Sequence, residues 1–131
     1  LHSIISTPIW IGDYLYGVDS YGELRCLRAS DGKRIWEDLS AVERQRWATI
    51  HFVANGSNTW MLNEQGELMI GKLTQAGLEV TSRETILTPD QMRTPNRKGG
   101  VVWSHPAFAN RCVFLRNDRE LICIDLAAQK K

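Results

Sequence analysis

The stretch that decides the fold is Ser-Thr-Pro-Ile-Trp at residues 6–10, because it returns as Ser-His-Pro-Ala-Phe at residues 104–108. Between the two copies, Gly-Glu-Leu at residues 22–24 returns 44 residues later, at residues 66–68. A shortened third copy, Arg-Glu-Leu, stands at residues 119–121. Self-similarity at a spacing of roughly 20–50 residues indicates a repeat architecture, and here three repeats can be counted.

Each repeat contains short alternating or aromatic-rich runs separated by turn residues, a pattern typical of antiparallel strands. The predicted strands are 4–10, 14–18, 23–27 and 33–36 in the first repeat, 48–53, 59–62, 67–73 and 78–87 in the second, and 102–108, 112–115 and 121–126 in the third. Four strands per repeat at this period predict propeller blades. We therefore expect an all-β fold, a β-propeller fragment of about three four-stranded antiparallel blades (residues 4–39, 47–87 and 101–131) with the last blade incomplete.

The turns and connections carry further signals. Asp31-Gly32 predicts a type I′ turn, in which both central residues have positive φ. Ser40 and Glu43 have the spacing of a capping box and predict one or two helical turns over 40–46. Residues 88–100 are predicted to form a long loop, with a short turn of helix at its start. Its basic residues, Arg93, Arg97 and Lys98, are expected to be solvated.

Composition sets the broad class. The 131 residues suffice for one domain, so we treat 1–131 as a single partial propeller domain. A net charge of +1 leaves no field that would recruit nucleic acid, and no apolar run approaches the roughly 18 residues of a membrane span. The three cysteines, Cys26, Cys112 and Cys123, form no close pair and are expected to be small buried residues.

The run from Ala29 to Trp36, Ala-Ser-Asp-Gly-Lys-Arg-Ile-Trp, resembles the repeat of the pyrroloquinoline-quinone-like (PQQ-like) β-propellers, whose hallmark is Ala-x-x-x-Gly-Lys-x-x-Trp. The resemblance implies that the first strand of each blade is innermost. It also assigns structural roles to Gly32 and Trp36, since the glycine turn lets the tryptophan dock between neighbouring blades. The second repeat lacks this tryptophan, and the third stops before it.

The resemblance also implies a function. Non-enzymatic members of the family include a periplasmic lipoprotein of the outer-membrane β-barrel assembly machinery, so we expect a non-catalytic, protein-binding or scaffold module of an exported, periplasmic bacterial protein. One alternative is part of a PQQ-dependent quinoprotein dehydrogenase. Such enzymes bind the quinone with two adjacent cysteines, a calcium site and an aspartate base, and no two cysteines are adjacent here. Another alternative is the ligand-sensing propeller of a signalling protein. We expect no cofactor in this chain.

One constellation follows from the repeat register, in which Thr7, His51 and His105 share one blade position. On innermost strands, the two imidazoles and the hydroxyl would face a common channel and could hold a metal or an anion. Structural hydrogen bonding is the preferred interpretation, because a third strong ligand is not evident. No metal site is therefore expected.

The remaining reactive residues suggest no catalysis. The acids Asp13, Asp19, Glu23 and Asp31 stand at predicted turns, without the spacing of a nucleophile and its base. The tryptophans other than Trp36 are expected to pack in the core or between blades, and these are Trp10, Trp47, Trp60 and Trp103.

The ends of the chain suggest a piece of a larger protein. The third blade has three predicted strands, so we expect a strand from elsewhere in the parent to complete it. The uncovered edge along residues 121–126 favours self-association of this fragment.

Overall fold

A computed structural model describes residues 1–90 and 97–127, and within these ranges the chain forms strands and no helix. The strands are β1 (Ile9–Ile11), β2 (Tyr14–Val18), β3 (Leu24–Arg28), β4 (Arg34–Asp38), β5 (Ile50–Asn55), β6 (Asn58–Asn63), β7 (Glu67–Thr74), β8 (Gly77–Thr85), β9 (Ala107–Ala109), β10 (Cys112–Arg116) and β11 (Leu121–Asp125). An isolated bridge joins Asp90 to Val101 across the loop before the third sheet. No helix of the described part of the chain is long and apolar enough to cross a membrane.

The strands form three antiparallel sheets in chain order. The first sheet runs β1-β2-β3-β4, the second β5-β6-β7-β8, and the third β9-β10-β11. The first two sheets carry an irregularity at the same place on their third strand, between Cys26 and Leu27 and between Ile70 and Gly71. The repeats detected in the sequence are therefore also equivalent in their hydrogen bonding.

Apolar side chains pack between neighbouring sheets. One buried cluster joins Tyr16 and Leu24 of the first sheet to Phe52 and Met61 of the second. A second cluster joins Leu62 of the second sheet to side chains of the third, among them Val113 and Leu115. The second sheet thus buries one face against the first sheet and the other against the third.

The first strands of the outer two sheets are shorter than predicted. Prediction placed them at 4–10 and 102–108, whereas pairing begins at Ile9 in β1 and at Ala107 in β9. Pro8 and Pro106 stand directly before these strands. Proline has no amide hydrogen to donate to a sheet ladder, so it is found at the first position of a strand or outside it.

The helical turns predicted over 40–46 are wrong. Asp38, and not Ser40, is the residue that caps the backbone here. Its carboxylate accepts hydrogen bonds from the amides of Ser40 and Ala41 at 2.8 and 3.0 Å. The residues that follow form bends, which bring Ala41 and Val42 into the first buried cluster. A capping motif therefore did not start a helix here, since tertiary packing decided the conformation.

The turn between β3 and β4 differs from the predicted type I′ turn. Gly32 has a φ of +70°, but Asp31 does not share the positive φ that a type I′ turn requires at both positions. A type I′ pattern instead occurs between β9 and β10, where Asn110 and Arg111 have φ of 51° and 63°. The sequence therefore predicted the position of the β3–β4 turn correctly and its type incorrectly.

Substituting Gly32 with alanine should cost about 1–2 kcal/mol of folding free energy, because a side chain at this φ meets its own backbone. Open space surrounds the position, so the cost is conformational and no neighbour is displaced. Gly32→Asn should lose less, since asparagine tolerates this conformation better. Urea unfolding of both variants tests this, and equal losses would show that the left-handed backbone is not the cause.

Candidate functional site

The junction between the first two sheets is filled by aromatic side chains. The indole of Trp36 lies 5.9 Å from the ring of Tyr16 and donates its Nε1–H to the carbonyl of Thr74, in the second sheet, at 2.8 Å. Beside it, the Tyr14 hydroxyl donates to the amide oxygen of Gln75 at 2.6 Å. Trp36 thus packs against Tyr16 of its own sheet and joins the second sheet through its hydrogen bond to Thr74.

Strand pairing shows which residues take these places in the other sheets. An equivalent row of paired residues crosses each blade: Ile9, Tyr16, Cys26 and Trp36 in the first, Val53, Trp60, Ile70 and Ser82 in the second, and Ala107, Phe114 and Cys123 in the third. In the first two blades this row faces the following sheet. Ser82 therefore stands where Trp36 stands one blade earlier. By the same register Asn58 replaces Tyr14.

A cleft of about 460 Å³ opens between the second and third sheets. Its apolar wall includes Trp60 and Phe108, whose rings meet edge to face at 4.9 Å, together with Val53 and Leu126. The volume falls within the roughly 300–1,000 Å³ of ligand pockets. In the first junction Trp36 and Tyr14 contribute two aromatic rings, whereas the second junction has the small side chains of Ser82 and Asn58.

The rim of the cleft is polar. The β9–β10 turn contributes Asn110 and Arg111, and Asn55 at the end of β5 lines it from the second sheet. The Arg111 carbonyl accepts the amide of Leu126 at 2.8 Å, which joins the turn to the end of β11. Within residues 1–90 and 97–127, no carboxylate forms a salt bridge with the Arg111 guanidinium. The site therefore combines an aromatic wall with a guanidinium that forms no salt bridge within the described residues.

The structure brings His51 and His105 together, with ring centroids 4.8 Å apart. His51 is buried, its Nε2 lies 3.0 Å from the Trp103 carbonyl, and its Nδ1 has no hydrogen-bond partner among residues 1–90 and 97–127. The exposed His105 places its Nδ1 2.8 Å from the Pro106 carbonyl. In the described part of the chain, the Thr7 hydroxyl makes no hydrogen bond to either imidazole. Two of the three residues that share this repeat position are thus neighbours.

Burial lowers the pKa of His51, and its hydrogen bond to Trp103 and the nearby His105 act in opposite directions on that pKa. A neutral His51 can donate its Nε2–H to the Trp103 carbonyl. Across residues 1–90 and 97–127, no group of three histidine, cysteine or acidic side chains is arranged to hold a metal ion.

Zinc titrated into the chain should accordingly bind no more tightly than about micromolar, the level of a weak pair of ligands. Isothermal titration calorimetry at pH 7 measures this, with His51→Ala as the matched control. Stoichiometric binding in the nanomolar range that disappears in the control would establish a metal site.

The loop residue Arg97 is buried, which corrects the expectation of a solvated side chain. Its side chain is 1% exposed and forms a salt bridge with Glu64, which is fully buried. Glu64 also accepts the Nε1–H of Trp103 at 3.2 Å, and the Arg97 guanidinium lies 5.5 Å from the centre of the Trp103 ring. The neighbouring Lys98 is exposed as expected, and Arg93 lies outside the described residues.

This buried pair has a structural place, between the β6–β7 turn and the loop before the third sheet. Burial raises the pKa of Glu64, while the hydrogen bond and charge of Arg97 lower it, and burial has the larger effect. The two residues lie 33 positions apart, and no local pattern in the sequence pairs them. Sequence reasoning therefore missed the contact.

Two further expectations about single residues are wrong. Trp10 is 64% exposed, so the expectation that it packs in the core or between blades is wrong. Cys26 is buried, but Cys112 is only partly buried and Cys123 is exposed, because both lie on the face of the third sheet that no other described sheet covers.

No protein-family model and no curated protein matches the sequence. Among solved structures, the chain is similar to the crystal structure of BamB from Moraxella catarrhalis, with a TM-score of 0.55 and 14% sequence identity. The similarity covers 89% of this chain and 30% of that one, so the present sequence spans less than a third of its length. At this identity the likeness shows the fold, and it confirms the predicted fold class: the three sheets form a partial β-propeller.

Proposed function

We propose that this chain is part of a PQQ-like β-propeller that binds a protein segment and has no catalytic role of its own, in a bacterial protein exported to the periplasm. The open, aromatic-lined cleft between the second and third sheets is the observation that carries the proposal. Membership of the PQQ-like family is supported by the complete Ala-x-x-x-Gly-Lys-x-x-Trp run at residues 29–36 and by the position of Trp36 between two blades.

The chemistry of the cleft favours a polypeptide partner over a reacting substrate. Its wall presents the edges and faces of Trp60 and Phe108, and aromatic residues are enriched where proteins bind each other. The polar groups around it are amides and one guanidinium, which bind and orient a ligand.

Selection from a random peptide display library on the immobilised chain tests the proposed function. We expect enriched peptides that bind the folded chain with dissociation constants of about micromolar. A control selection on an immobilised β-sandwich domain of similar size should enrich different sequences. Failure to enrich any peptide, or tight binding of pyrroloquinoline quinone in the presence of calcium, would contradict the proposal.

A further inference from the structure

We infer that the cleft between the second and third blades receives an aromatic side chain, tryptophan foremost, from a partner polypeptide that carries an acidic residue beside it. The inference rests on the proposed protein-binding function and specifies its site and the chemistry of its ligand. Its basis is a comparison of two junctions within this one chain.

The first junction shows what such a slot holds. There the indole of Trp36 packs against Tyr16 and donates its Nε1–H to a main-chain carbonyl of the next blade. In the second junction Trp60 takes the place of Tyr16, so the receiving aromatic wall is kept. The two junctions differ in the inserted residue. Where the first blade has Trp36 at the end of the row, the strand register places Ser82 in the second blade. The second junction thus keeps the aromatic ring at the Tyr16 position and has a serine where the first junction has an indole.

The size and surroundings of the slot agree with an aromatic occupant. Ser82 is exposed and cannot reach across to the third sheet as an indole would. Phe108 meets Trp60 edge to face, so the two rings in contact form a continuous aromatic wall of the cleft. An inserted ring would make the offset or edge-to-face contacts that aromatic pairs prefer, at centroid distances of about 4.5–7 Å.

The positive charge of Arg111 indicates which residue of the partner lies next to the inserted ring. Arg111 lies on the rim, on a turn whose backbone holds it in place through the hydrogen bond to Leu126. None of the carboxylates in the described part of the chain forms a salt bridge with it. A partner carboxylate next to the inserted ring would form a charge-assisted hydrogen bond with this guanidinium.

Two blocked tetrapeptides test the inference on the ¹⁵N-labelled chain, acetyl-Gly-Trp-Glu-Gly-amide and its lysine counterpart acetyl-Gly-Trp-Lys-Gly-amide. The acidic peptide should shift the Trp60 indole resonance saturably at concentrations below about 1 mM. It should leave the resonance of the exposed Trp10 unchanged. The lysine peptide should bind about tenfold more weakly, as expected for one lost charge-assisted hydrogen bond.

Two variants and one control make the test specific. Ser82→Trp should fill the slot from within, as Trp36 does in the first junction, and abolish peptide binding. The control Thr85→Trp should retain it, because Thr85 is exposed and pairs with Glu67 on the opposite face of β8. Arg111→Glu changes only an exposed turn and should reverse the preference in favour of the lysine peptide. Equal binding of both peptides to the unmodified chain, or unchanged affinity in Ser82→Trp, would overturn the inference.

The result also separates this inference from the proposed function. Peptides from the display selection that bind without affecting Trp60 would leave the protein-binding function standing and place its site elsewhere. A chain that selects no peptide at all would lose the function itself.

Discussion

Replacing Arg97 with alanine is expected to lower the free energy of unfolding by about 3–5 kcal/mol at pH 7, the cost of removing one partner of a buried ion pair. Glu64 is fully buried and would lose the guanidinium that compensates its charge. The same change removes the contact between Arg97 and the face of Trp103. Urea denaturation followed by circular dichroism at 222 nm or intrinsic fluorescence measures the loss.

The loss should depend on pH in a defined direction. Burial already raises the pKa of Glu64, and without Arg97 that pKa rises further. Above the ordinary carboxyl pKa of about 4.3, the unfolded chain carries this charge in water, while the folded chain must bury it or hold a proton. The destabilisation therefore grows as the pH rises from about 4.3 through the raised pKa of Glu64 in the folded variant, and it shrinks as the pH falls below about 4.3, where the unfolded chain also holds the proton.

Arg44→Ala provides the matched control, because Arg44 also bridges a glutamate, Glu23, at 3.0 Å, but its side chain is 67% exposed. Exposed pairs contribute about 0–1 kcal/mol, so this variant should remain close to the unmodified chain. The double variant Glu64→Leu with Arg97→Met should lose less than Arg97→Ala alone, since it leaves no buried charge. A loss below about 1 kcal/mol in Arg97→Ala would mean that the loop is solvated after all.

Trp36→Ala should cost about 3 kcal/mol, at the lower end of the range for large aromatic truncations because the indole is only partly buried. The variant loses the ring contact with Tyr16 within the first blade and the hydrogen bond to Thr74, which joins the first blade to the second. Trp36→Phe keeps a ring in the slot and removes the indole N–H, so it should lose about 1 kcal/mol from the hydrogen bond and some packing besides.

Trp10→Ala is the reference for this series, because Trp10 is 64% exposed and its removal should change stability by no more than about 0.5 kcal/mol. Thermal and urea unfolding of the three variants compare the losses directly. Equal losses for Trp36→Ala and Trp10→Ala would show that Trp36 does not join the blades.

The blades could be predicted from the sequence because their signals are local and repeated. Tyr14 to Val18 was predicted with the bounds that β2 has, and Glu67–Thr74 was predicted within one residue. Errors occurred where a local motif competes with tertiary structure. The carboxylate of Asp38 took the hydrogen bonds expected of a Ser40 cap, and prolines shortened β1 and β9.

The candidate site was only partly accessible from the sequence. The absence of a tryptophan in the second repeat is visible in the sequence, and it marks the junction where the cleft lies. The sequence does not determine that Ile70 pairs with Ser82, because a change of register by one residue turns a side chain to the other face of the sheet. The contact of Glu64 with Arg97 depends on a loop path that no periodicity encodes.

The three sheets pack in chain order as blades, and a nuclear Overhauser spectrum of the chain measures this packing. Cross-peaks are expected between the indole of Trp60 and the ring of Phe108, whose centroids lie 4.9 Å apart, and between the Trp36 indole and residues around Thr74. A spectrum in which the sheet-internal cross-peaks are present while those between Trp60 and Phe108 and between Trp36 and Thr74 are absent would contradict it.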